Sequence, residues 1–162
     1  MSTTTTMINI NNTFSIILTL FIILLTMIPS NNSHNTLLTT SIHELLKRQG
    51  LPGGLFPINV KAFTLNSNGL LEVYFAEPCE AKFETLVRFE TVVRANLTYG
   101  ELNDVQGLSQ EELFLWLPVK DIVVQDPSSG IIMFNIGVAK KQLAFSIFED
   151  PPICKPPIIL RM

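Results

Sequence analysis

Ser109 stands in Gly107-Leu108-Ser109-Gln110-Glu111, the nearest approach in this chain to the Gly-x-Ser-x-Gly turn that exposes a nucleophilic serine in α/β-hydrolases. The second glycine is missing. A serine nucleophile also needs an imidazole base oriented by an acid. The two histidines, His34 and His43, fall in a polar amino-terminal stretch and on an expected helix, remote in sequence from Ser109. Glu77/Glu80 and Glu111/Glu112 are spaced for acid–base work of the glycosidase kind, although solvated loop carboxylates explain such pairs more simply. The sequence holds no Gly-rich phosphate loop, no metal-ligand cluster and no zinc helix motif. No catalytic residue, metal ligand or cofactor is therefore assigned, and a binder is expected ahead of an enzyme.

Two further groups carry chemistry of other kinds. Cys79 and Cys154 are the only cysteines. An even count in an exported chain suggests a bridge, which would tie the carboxyl-terminal segment to the middle of the domain; two unpaired buried thiols are the alternative. Asn96-Leu97-Thr98 is an N-glycosylation sequon, so Asn96 is an acceptor if the chain is exported and the site exposed.

The elements that would position these residues begin after an unusual leader. Residues 1–43 contain no Lys, Arg, Asp or Glu, and residues 14–28 are a fifteen-residue apolar run. That length fits the apolar region of a signal peptide and falls short of the roughly 20 residues that span a bilayer. Residues 1–30 are read as a signal peptide with an uncleaved anchor as the alternative, residues 31–40 as a polar linker, 41–155 as one domain and 156–162 as a tail. The expected location is secreted, or membrane-anchored if the leader is retained. Eleven Lys and Arg against fourteen Asp and Glu leave a net charge of −3 with no basic cluster, which argues against a nucleic-acid surface.

Within the domain, Ser41-Ile42-His43-Glu44 has capping-box spacing and Gly50 supplies a left-handed stop, so a short helix is expected between them. Leu51-Pro52-Gly53-Gly54-Leu55-Phe56-Pro57 cannot continue it and is read as an ordered apolar loop. Strand signals follow at 60–65, 70–75, 83–89, 92–98, 111–117, 120–124, 131–138 and 142–148, punctuated by Asn66-Ser67-Asn68-Gly69 and Asp126-Pro127-Ser128-Ser129-Gly130. Short strands with short turns predict a mainly β protein, an antiparallel β-barrel or barrel-like sandwich of roughly seven to nine strands with one short amino-terminal helix.

The stretches 111–117 and 131–138 read as apolar on both faces, with Phe114 and Trp116 opposing leucines in the first and Met133 opposing Ile132 and Phe134 in the second. Either the helix and the apolar loop cover the second face, or it lines a cavity for an apolar ligand. On the second view Phe114, Trp116 and Met133 are the candidate ligand-binding residues.

Leu45-Leu46, Gly50-Leu51-Pro52-Gly53-Gly54-Leu55, Pro57, Glu72-Val73-Tyr74, Pro78-Cys79, Lys82-Phe83, Tyr99-Gly100, Leu113-Phe114-Leu115-Trp116, Phe134 with Gly137-Val138, Lys140-Lys141 with Leu143, and Pro152 with Cys154 resemble in order the plant family called domain of unknown function 538. The resemblance spans residues 43–155. It implies a small β-barrel, commonly behind a signal peptide, in a land plant, with no settled activity; likeness to lipid-binding barrel modules and a chlorophyll-related hydrolase role have both been attached to the family.

The function expected from all this is non-catalytic binding of a lipid-like or other apolar small molecule. A hydrolase of a hydrophobic ester and a cell-surface structural or interaction module are the alternatives. The chain is expected to be a monomer that meets a membrane only through an uncleaved leader.

Overall fold

The computed structural model describes residues 41–157. The expected signal peptide and linker and the last five residues lie outside the described residues.

Helix α1 (Ile42–Arg48) starts where its chemistry says it should. The Ser41 hydroxyl accepts the Glu44 backbone N–H at 3.2 Å, satisfying one of the donors that a helix start leaves open. The Glu44 side chain turns instead to Lys47, 3.6 Å away in an exposed pair. At the other end Gly50 takes φ +73°, Gly50 N–H donates to the Lys47 carbonyl and Leu51 N–H to the Leu46 carbonyl. This is the Schellman arrangement, and its apolar partners Leu46 and Leu51 are both fully buried.

Nine antiparallel strands follow: β1 (Ala62–Leu65), β2 (Leu70–Tyr74), β3 (Cys79–Lys82), β4 (Leu86–Thr98), β5 (Glu101–Glu112), β6 (Leu115–Pro118), β7 (Asp121–Val123), β8 (Ile131–Asn135) and β9 (Lys140–Ala144). They form one sheet with the path β1-β2-β4-β5-β7-β8-β9, while β3 pairs with the first part of β4 and β6 with the last part of β5. The long strands β4 and β5 thus serve two sets of neighbours, which folds the sheet on itself. No hydrogen-bond ladder joins β1 to β9, so the architecture is a barrel-like sandwich. An ion pair from Lys141 on β9 to Glu112 on β5 spans the fold.

Aromatic side chains fill the interior. Phe134 stacks on Phe148 at 5.0 Å between ring centres, and the Phe83 ring lies tilted 5.0 Å from Phe148. A second group joins Phe56, Phe89 and Phe75 at 6.2 and 5.4 Å. Each such pair contributes on the order of 1 kcal/mol beyond its buried area. Cys79 and Cys154 form a disulfide with a Cα separation of 5.5 Å. Beside it, Glu80 and Lys155 exchange two backbone hydrogen bonds that fasten Lys155 to β3.

Several expected strands are corrected by the structure. Residues 111–117 are not one strand: the chain reverses at Leu113 and Phe114, both at positive φ, between β5 and β6. Residues 131–138 stop pairing at Asn135 and turn through Gly137, and residues 145–148 form a 3-10 turn. Of the two-sided apolar pattern, Leu113 and Phe114 belong to the turn, whereas Ile131 and Met133 do lie on β8 opposite the buried Ile132 and Phe134. The expected strands 83–89 and 92–98 are one strand with a register shift between Phe89 and Arg94. β5 went unread through residue 110 because its inward residues Leu102, Val105 and Leu108 recur every third position. Asp104 at φ +53° and Gly107 at φ +76° place irregularities between them, and each displaces the two-residue alternation by which a strand is recognised.

Candidate functional site

The Gly50-to-Leu55 segment packs where three other connections meet. A 3-10 turn, Gly53–Leu55, backs onto the carboxyl-terminal chain so closely that a Cβ on Gly54 would stand 2.5 Å from the Asp150 carbonyl group and 2.6 Å from the Phe148 carbonyl oxygen. His43 donates from Nδ1 to the Gly53 carbonyl at 2.8 Å, tying the turn to α1. The β4–β5 turn comes from the other side, with Gly100 N–H bonded to the Gln49 carbonyl at 2.6 Å and the Tyr99 ring lying against Gly50.

These backbone ties frame a groove of about 450 Å³, within the usual range for small-molecule sites. Leu51 and Pro52 line it from the buried layer, while Tyr99, Pro127 and Phe145 supply its apolar walls. Lys47 stands at one side, and Glu149 and Asp150 contribute carboxylates. An apolar body with a polar end fits such a lining. The His43–Gly53 and Gly100–Gln49 hydrogen bonds fix two sides of the groove, and its side chains assemble no nucleophile with a base.

The sequence-chosen residues are dispersed. Phe114 is 93% exposed at the β5–β6 turn. Trp116 is half-buried on β6, with the Arg88 guanidinium over its ring at 3.9 Å. Met133 lies on β8 between two shallow hollows of about 100 and 210 Å³, whose linings include neither Phe114 nor Trp116. The three therefore do not share a cavity. Asn96 is exposed on β4, its side-chain amide donating to Asp104 at 3.1 Å.

The catalytic candidates are equally scattered. Ser109 lies across the ladder from Arg88 and Pro118, while His43 is engaged with Gly53. Glu80 accepts both Nε and Nη2 of Arg88, at 3.0 and 2.6 Å. Glu112 accepts from Gln110 and pairs with Lys141, and as the β5 neighbour of Glu111 it points to the opposite face. Lys141 and then Gln110, by hydrogen bonding, hold the Glu112 carboxyl below the usual carboxylate range against the opposing effect of burial. Among the described residues no group of three or more His, Cys, Asp and Glu is arranged to hold a metal ion.

The groove itself was missed in the sequence, where Tyr99, Pro127 and Phe145 belong to separate segments. One signal was available: a Pro-Gly-Gly run flanked by leucines is too apolar for a free loop and implies a docked one.

The family model described as "Protein of unknown function, DUF538" matches residues 42–149. No curated protein matches the chain.

Proposed function

This chain belongs to the DUF538 family, and we propose that it is an exported, non-catalytic binding protein whose ligand is a small amphipathic molecule held in the groove between α1, the β4–β5 turn and the Phe145–Phe148 turn. The observation that carries this reading is the groove's lining: an apolar surface of Leu51, Pro52, Tyr99 and Phe145 beside the opposite charges of Lys47 and Glu149 with Asp150. Export is supported by the charge-free leader and by the disulfide, which persists in oxidising compartments.

Titrating the isotopically labelled full chain with a panel of amphipathic carboxylates, amines and neutral lipids tests the site. A ligand should shift the amide signals of Gly50, Gly53 and Tyr99 and raise the melting temperature by mass action. Tyr99→Ala should weaken that ligand about tenfold or more while keeping the fold, since Tyr99 is exposed. Saturating ligand that moves only signals remote from the groove would reject the site.

A further inference from the structure

Leu113, Phe114 and Leu115 are 89%, 93% and 63% exposed, three consecutive large apolar side chains at the end of a two-residue hairpin loop. Leu113 and Phe114 both hold positive φ, 48° and 68°, the conformation of a type I′ turn, which Asn-Gly or Asp-Gly ordinarily fills. Bulky residues are strained there, and these two gain almost no burial within the chain in return. Strain of this kind that brings the fold no packing points to a role outside it.

A second exposed apolar side chain, Val138, shares this end of the domain. The Glu112–Lys141 ion pair joins the base of the β5–β6 hairpin to the start of β9, and the β8–β9 turn two residues before Lys140 carries Val138, 81% exposed. The groove described above lies by the first residue of β5, so the tips and the groove occupy opposite ends of that strand.

We propose that the β5–β6 and β8–β9 tips seat this domain on a zwitterionic lipid bilayer by shallow insertion of Leu113, Phe114, Leu115 and Val138. The surface is a convex point, which enters a bilayer interface more readily than it fills a protein groove. Its charge is balanced: Lys141 pairs with Glu112, and Lys140, which borders a hollow with Asp121, and Glu111 add one charge of each sign, so nothing favours an anionic surface. Trp116 sits two residues behind Phe114, at the depth where indole rings settle in the interfacial zone.

The test uses the full chain with phosphatidylcholine vesicles and reads Trp116, the sole tryptophan. The leader's apolar run can itself bring the chain to vesicles, so the readout is local rather than co-sedimentation. Emission from Trp116 should shift to the blue and be quenched by lipids brominated near the headgroup. Leu113→Asn/Phe114→Gly restores a favoured I′ turn and should therefore fold, while requiring at least about tenfold more lipid for the same Trp116 response. Raising salt from about 0.1 to 1 M should change the parent's response less than about twofold, because insertion is apolar. Trp116 that ignores the vesicles overturns the proposal, as does a double variant that responds like the parent or a response that needs anionic lipid and is lost in salt.

Discussion

The guanidinium carbon of Arg88 lies 3.9 Å from the centre of the Trp116 ring, and the same group forks onto Glu80 through Nε and Nη2. One arginine on β4 thereby links β3 to β6 across the outer face of the sheet, although neither of those strands pairs with the other. Arg88→Lys keeps the charge but loses the planar fork and the stacked face. It should lower stability by about 1 kcal/mol and shift Trp116 emission in the absence of any ligand. Unchanged emission and unchanged denaturant midpoint would show that the stack contributes nothing in solution.

Cys79 and Cys154 close a loop with a sequence separation of 75. Chain-entropy reasoning gives a ceiling on the order of 4 kcal/mol for such a crosslink, acting largely on the unfolded state. Cys154→Ala should lower the unfolding free energy by up to that amount and free Cys79 for thiol titration. The exchange protection of the Lys155 amide, bonded to the Glu80 carbonyl, should fall with it.

Gly54→Ala should be among the most destabilising single substitutions in the domain, because the added methyl meets backbone of residues 148 and 150 at 2.5–2.6 Å rather than a side chain free to move. Overpacking of this kind costs about 1–3 kcal/mol or more. Thermal melts should show the loss, and binding in the groove should weaken in parallel, since the same turn forms its rim.

Glu112 binds its proton less readily in the folded chain than in the unfolded one, chiefly because of Lys141. The stability it adds is therefore present above the ordinary carboxylate value of about 4.3 and is lost as pH falls through the lower folded value. Glu112→Gln should cost about 1 kcal/mol at neutral pH, and the gap between variant and parent should close as the solution is acidified. Equal gaps at neutral and strongly acidic pH would show that the carboxylate's charge is not the source.

Leu113→Asn/Phe114→Gly should raise stability by about 1–3 kcal/mol, since it relieves two left-handed bulky residues whose side chains pack against little. Chemical denaturation of both proteins measures this apart from any lipid effect.

Reading the sequence succeeded where the deciding interactions lie within a few residues of one another. Ser41 and Glu44 are three apart and Gly50 follows directly on α1, so cap and stop are local chemistry. Asn66 and Gly69 enclose their own turn, with the Asn66 side chain accepting the Leu70 N–H at 2.8 Å. The Cys79–Cys154 bridge was legible for a different reason: two cysteines allow only one intramolecular pairing. Family membership followed from motif order along the chain.

Reading failed where one residue's role depends on backbone far from it in sequence. The third-residue spacing of Leu102, Val105 and Leu108 made β5 invisible until the irregularities at Asp104 and Gly107 were seen against β4. Phe114 looked like a cavity residue because its apolar character is the same inside a core or at a turn; only the strand register, Glu112 opposite Leu115, exposes it. The sequence by itself determined the β-rich class and the helix with its ends, which rest on residue type and short spacing, and it left Cys79 and Cys154 as the one pairing a disulfide could take. The tertiary structure alone decided the groove and the apolar tips, because hydrogen bonds such as Gly100 to Gln49 and ion pairs such as Lys141 to Glu112 join segments tens of residues apart, and residue type does not specify which segments those will be.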